Sequence, residues 1–160
     1  MSHGDMFLKV NGSRSGGIKG EANDQAHRDE IDLLGWSWGM RSASAMGGGG
    51  TQVKTTVESL HVTKEVDMAS TALMSVMRNN ELLTKVVLTV RKAGGLPIDY
   101  FIVTLENARI TSYDVTTMSG ANDILLEKLT FSFQKITAEY AGQDDRGMKK
   151  GSMNFTAEVN

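Results

Sequence analysis

Histidine, carboxylate and hydroxyl side chains could do chemistry in this chain, and their spacing decides which kind. The densest group is His27-Arg28-Asp29-Glu30, one imidazole beside two carboxylates. These are metal-ligand types, but a metal site takes three or four protein ligands and no second histidine lies nearby. His3 stands in the N-terminal stretch and His61 in a strand-like run, where a surface position is expected. Serines and aspartates are plentiful, yet no nucleophile elbow of Gly-x-Ser-x-Gly type is expected to anchor a hydrolytic triad. The runs Gly47–Gly50 and Gly16-Gly-Ile-Lys-Gly20 lack the Lys-Ser/Thr ending of a phosphate-binding loop, so both read as loops. Trp36 and Trp38 could stack a ligand, but two indoles on the heavy face of a strand read as core. The ten methionines, among them Met68, Met74 and Met77, read as gap fillers. No catalytic residue, metal site or cofactor is expected from this inventory.

Size and charge narrow the classes further. With 160 residues and 17.4 kDa, one domain spanning 1–160 can bury a sufficient core without disulfides or metal. The chain has no cysteine, which excludes thiolate chemistry and leaves the redox compartment open. A net charge of −2 and a pI near 5.9 give no electrostatic case for nucleic acid or an anionic membrane surface. No apolar run approaches the roughly 20 residues a bilayer demands, so no membrane insertion is expected. Met1-Ser-His-Gly-Asp-Met6 carries no basic region followed by an apolar one, so no cleavable signal peptide is expected.

The elements that would position any site are mostly strands. The organising stretch is Glu127–Tyr140. Leu129, Phe131 and Phe133 fall on one face and Lys128, Thr130, Ser132 and Gln134 on the other. After Phe133 the apolar residues move to even positions (Ile136, Ala138, Tyr140), which predicts a bulge near Gln134–Lys135. Met6–Val10 reads as a strand, Asn11–Gly20 as a turn or loop, and Glu21–Asp29 as a polar surface loop. Ile31–Met40 reads as one strand with Leu34, Trp36, Trp38 and Met40 on a heavy face and Gly35, Ser37 and Gly39 on a bare one. A bare face suits close approach of another backbone or a smooth wall lining a space. Arg41–Gln52 should be a loop, and Thr51–Thr63 a strand with a bulge.

Between Asp67 and Asn80 the period changes, with Ala69, Ala72, Leu73, Val76 and Met77 on one helical stripe. Asp67 or Ser70 could cap its start and Asn79-Asn80 its end. Strands follow over Lys85–Arg91, Asp99–Glu106, Arg109–Thr116 and Met153–Val159, with a turn at Ala93–Pro97, a bend at Asn107-Ala108 and exposed segments at 119–123 and 141–151. Seven to nine strands and one helix predict an all-β barrel or sandwich. Its polar outer faces suit an exposed sheet or a channel wall equally, and its open edges would be covered by neighbours in a ring.

Several stretches, in order, resemble the haemolysin-coregulated protein family of bacterial type VI secretion: Asp5-Met-Phe-Leu-Lys9, Gly20-Glu21, Trp36-Ser-Trp-Gly-Met40 and the glycine-rich loop after it. Val62-Thr-Lys-Glu-Val-Asp67, Leu88–Gly95 and Glu127–Tyr140 continue the match, which spans nearly the whole chain. The resemblance implies a β-barrel of two sheets with one helix alongside, forming hexameric rings that stack into a tube related to phage tail tubes. It implies a structural role, effectors carried in the lumen, and sheath and spike proteins of the same system as partners. The subunit would be cytoplasmic before firing and secreted after. Ser37, flanked by Gly35 and Gly39, would face the lumen, and the loop holding Ser44, Met46, Gly47, Gly48, Gly49 and Gly50 would reach the next ring or subunit. The chain departs from many relatives in lacking a proline in Ser70-Thr-Ala72 and a glycine in Arg78-Asn-Asn-Glu81. The alternative is a ligand-binding barrel, which would need polar groups inside; Leu129, Phe131 and Phe133 speak for a filled interior.

Overall fold

The computed structural model describes residues 5–43, 54–92, 98–117, 124–143 and 149–159. In chain order the strands are β1 (Met6–Gly12), β2 (Gly16–Ile18), β3 (Ile31–Asp32), β4 (Gly35–Ser37), β5 (Met40–Ala43), β6 (Lys54–Val57) and β7 (Leu60–Glu65). Helix α1 (Ser70–Arg78) follows, then β8 (Leu83–Arg91), β9 (Asp99–Thr117), β10 (Leu125–Gln143) and β11 (Lys149–Glu158). Among the described residues the main sheet runs β2-β1-β8-β9-β10-β7-β4, antiparallel at each step, with β3 on β1 and β11 on β10.

The run Ile31–Ser37 closes this sheet into a barrel. Successive backbone amides of an extended chain point to opposite sides. Leu33 N–H accordingly donates to Met6 O at 3.0 Å on one flank, and Leu34 N–H to Thr63 O at 2.8 Å on the other. The inside is filled with apolar side chains, among them the fully buried Leu8, Leu60, Leu88, Leu105, Phe131 and Ile136. Each contributes about 1.5–3 kcal/mol by leaving water.

The phase slip expected in β10 is real, and it is shared across the sheet. The buried positions step from Phe133 to Ile136 in β10, from Leu105 to Ala108 in β9, and from Leu83 to Val86 in β8. Leu83, Ala108 and Phe133 pair in one row and Lys85, Glu106 and Lys135 in the next, so the register passes over Thr84, Asn107 and Gln134 together. Asn107 takes a left-handed φ of 53°, and its Nδ2 donates to Gln134 Oε1 at 3.2 Å. The three strands thus change face together with no register shift at this row, while the register shift of β10 against β9 lies at Thr130/Phe131 instead of Gln134–Lys135. The row where all three change face is the barrel's corner.

Other expectations need correction. Ile31–Met40 is not one strand but parts of β3, β4 and β5, because the chain leaves the wall after Ser37 to form the two-stranded β5–β6 ribbon. Leu33 takes the inward place, while Leu34 and Met40 are 48% and 47% exposed instead of lying on a heavy inner face. Trp36 and Trp38 do pack against the core. Arg41–Ala43 belongs to β5, and Glu58-Ser59 breaks Thr51–Thr63 into β6 and β7. Within Asn11–Gly20 lies β2, paired on β1 after Gly16 turns with φ of 66°. Ala69 occupies the N-cap of α1; Asp67 Oδ1 accepts the Ala69 N–H at 2.9 Å, and Ser70 is buried for another use. The helix ends as expected, with Asn79 at the cap and Asn80 at a φ of 51°.

Candidate functional site: a polar wall outside a filled barrel

Alternation in β4, β7, β10 and β9 turns one row of small polar side chains away from the core. Ser37 pairs with His61, His61 with Thr130, and Thr130 with Ser112, each on a neighbouring strand. Ser37 and His61 are exposed, and Thr130 and Ser112 half-buried. Ser112 Oγ–H donates to Thr130 Oγ1 at 2.7 Å, and Thr130 Oγ1 lies 3.0 Å from His61 Nδ1. Cross-strand neighbours of this kind hold one another's orientation. Gly35 and Gly39 are half-buried on either side of Ser37, and no atom lies within 4 Å of a side chain added at Gly35, so the wall there is bare. Beside Ser37 a hollow of about 200 Å³ is lined by Gly39, Arg41, Glu58 and His61, with Arg41 Nε 3.5 Å from Glu58 Oε1. Ser44, Met46, Gly47, Gly48, Gly49 and Gly50 lie outside the described residues.

Gly35-Trp36-Ser37-Trp38-Gly39 does carry the Gly-x-Ser-x-Gly spacing, which the expectation of no hydrolytic triad passed over. The surroundings are wrong for a nucleophile elbow. Ser37 ends a strand that leads into another strand, where the elbow needs a sharp turn into a helix. Its neighbour His61 has a threonine hydroxyl against Nδ1, where a triad places a carboxylate. Trp36 stacks on Phe101 at 5.7 Å, and Trp38 Nε1–H donates to the Glu58 carbonyl at 2.9 Å. Both indoles are thereby committed to packing.

One polar cluster escaped the sequence reading, and a second was only half read. The first is largely buried. Lys64 and Glu127 are fully buried and form an ion pair inside the barrel. Lys64 Nζ also meets Asp67 Oδ1 at 3.0 Å and Ser70 Oγ at 3.3 Å; Ser70 donates to Glu127 Oε1 at 2.6 Å, and Tyr113 donates to Glu127 Oε2. Burial pushes the Glu127 carboxyl up, but Lys64, Ser70 and Tyr113 outweigh it and hold the pKa below the ordinary carboxylate value. Burial, and then the Glu127 carboxylate, push the Tyr113 phenol up. The cluster clamps α1 to β7 and β10. A signal existed: Lys64 continues the inward phase of Leu60 and Val62, and Glu127 that of Leu129 and Phe131.

The second cluster is at His27, expected in a surface loop and in fact buried. Its two ring nitrogens face Glu30 and Asp99, so neither is available to a metal. The expected grouping of His27 with Glu30 holds in space, while Asp29 takes no part in it.

Among the described residues, an antiparallel barrel with a filled interior, a hydroxyl-lined outer wall and a strand edge at β11 defines a protein built from surfaces. Residues 7–140 match the family described as "Type VI secretion system effector, Hcp". The chain is 38% identical over 150 residues to protein hcp1 of Pseudomonas aeruginosa, covering 92% of this chain and 89% of that protein. It superposes with a TM-score of 0.75 on a type VI secretion system effector from Yersinia pestis, at 27% identity, covering 97% of this chain and 100% of that one. A further type six secretion system protein shares the fold with a TM-score of 0.80, at 24% identity over 92% of this chain and 91% of that one. The chain belongs to the Hcp family of type VI secretion proteins.

Proposed function

We propose that this chain is the tube subunit of a type VI secretion system. Six copies close into a ring, rings stack into a tube, and the wall carrying Ser37 borders the lumen in which effectors travel. The carrying observation is the continuous polar row Ser37–His61–Thr130–Ser112 on the outside of a barrel whose inside is packed with leucine and phenylalanine. A small-molecule carrier would need the reverse arrangement. Support for assembly comes from β11. Among the described residues only β10 pairs with it, and Met153 is 76% exposed. Between β11 and the β5–β6 ribbon runs a groove of about 830 Å³ in which Met40, Val57, Phe155 and Val159 lie among polar residues that include Arg41, Lys54 and Glu158. An unpaired strand edge beside exposed apolar side chains is a place for a neighbouring copy.

On this reading Ser37, with Gly35 and Gly39, contacts the effector. Ser44, Met46 and Gly47–Gly50 reach the adjoining ring or subunit, and residues 1–160 act as one structural domain with no catalysis. Sheath and spike proteins of the same system are its other partners, and the subunit passes from the cytoplasm to the outside when the system fires. Solution mass at micromolar concentration with negative-stain imaging tests the assembly; a 17.4 kDa species alone would reject it. Ser37→Gln tests the wall: rings should persist while a co-expressed effector is retained less well. Loss of rings in that variant would place Ser37 in a subunit contact instead.

A further inference from the structure

The 20–30 segment is closed on itself by backbone hydrogen bonds. Gly20 N–H donates to Asp29 O at 2.8 Å, Ala22 N–H to Glu30 O at 2.9 Å, and Asp29 N–H to Ala22 O at 3.1 Å. Its ties to the barrel and helix are largely made by side chains. Glu21 accepts the Met68 N–H at 2.7 Å, Asp24 accepts from Arg91 at 2.6 Å, and His27 meets Asp99 at the start of β9.

His27 is only 7% exposed, with Nδ1 3.1 Å from Glu30 Oε2 and Nε2 3.0 Å from Asp99 Oδ1. A neutral imidazole has one N–H. Placed here it would bond one carboxylate and turn a lone pair toward the other, whereas the imidazolium donates to both. The ring stacks on Phe7 at 4.4 Å, and the Arg91 guanidinium sits 5.1 Å from the centre of the same Phe7 ring. The charged groups about it are Glu30 and Asp24 from its own segment, Asp99 from β9, Arg91 from β8, and Asp5 before β1, 3.6 Å from Arg91. Asp5 and Asp24 pair with the Arg91 guanidinium, which leaves Glu30 and Asp99 facing the His27 ring.

We propose that His27 is a proton-operated latch, which when charged fastens the 20–30 segment to the start of β9 and when neutral lets that segment detach while the barrel stays closed. Burial alone would disfavour the charged ring, but the bonds to Asp99 and Glu30 outweigh it and raise the pKa above the ordinary histidine value. For a raised histidine, the stabilisation is fully present below the unfolded value of 6.5 and is lost as pH climbs through the higher folded value. The latch therefore opens on the alkaline side.

Nitrogen-15 NMR of the ring, with amide hydrogen exchange on the intact protein, tests it. At about pH 6 both His27 nitrogens should carry protons and the amides of 22–30 be protected. At about pH 9, after correction for intrinsic rates, their protection should fall about tenfold or more while β9 and β10 amides hold. Asp99→Asn should move the opening midpoint to lower pH, and His27→Gln should make the segment's exchange fast and insensitive to pH. A ring with a single proton at pH 6, or wild-type protection that does not change with pH, would overturn the proposal.

Discussion

Lys64→Met removes the cation from a fully buried site. Glu127 would remain fully buried as a carboxylate, still accepting from Ser70 and Tyr113, while Asp67 would lose its partner at 3.0 Å. Breaking a buried pair from one side costs about 3–5 kcal/mol. Two surviving donors on Glu127 place the expected loss near the lower end, about 3 kcal/mol. At about 2–4 °C per kcal/mol for a chain of this size, the midpoint should fall by roughly 6–12 °C. Denaturant unfolding at fixed protomer concentration measures this, because assembly would otherwise add to the apparent stability. Lys64→Met with Glu127→Leu should recover much of the loss, with a coupling of about 2 kcal/mol in the double-mutant cycle. A single variant within about 0.5 kcal/mol of wild type would refute the assignment of these two side chains to one buried, charge-balanced cluster.

Two further outcomes follow from the same geometry. A methyl group at Gly20 would come within 2.5 Å of Glu30 O and 2.7 Å of Ile31 Cα, both backbone atoms, so Gly20→Ala should cost about 1–3 kcal/mol in denaturant unfolding. Glu81 accepts the Ser15 and Arg14 amides at 2.8 and 3.0 Å and the Ser15 hydroxyl at 2.9 Å. The Ser15 amide first, then the other donors, outweigh burial and hold its carboxyl below the usual value of 4.5. A lowered carboxylate stabilises above its unfolded value and loses this as pH falls through the folded one. Glu81→Gln should therefore flatten the acid limb of a pH titration of stability below about 4.5; an unchanged limb would contradict this.

The barrel was legible because alternation and its slips are written into the apolar residues. Leu129, Phe131 and Phe133 against Ile136 and Ala138 mark the corner, and the three-to-four spacing from Ala69 to Met77 marks the helix. Where the chain crosses from wall to ribbon, periodicity misleads. Leu34 and Met40 keep the phase of Trp36 and Trp38, yet hydrogen bonding to two different neighbours, which no local pattern encodes, puts them outside. The polar wall at Ser37 was readable from its glycine flanks. Its companions His61, Thr130 and Ser112 were not assembled, because their adjacency depends on register between strands as much as 75 residues apart, Ser37 to Ser112. His27 was lost to its polar neighbours. Its burial depends on Asp99, 72 positions away, and on the Phe7 ring.

The central claim is that each copy fills its own interior and turns its hydroxyl-lined wall to a space shared between copies. Electron cryomicroscopy of the assembled protein, at a resolution that places side chains, tests it directly. The account predicts a ring of six with an open centre bordered by Ser37, His61 and Thr130, and with Trp36 and Trp38 inside each barrel. A map with the indoles bordering the opening, or with no common opening at all, would contradict it.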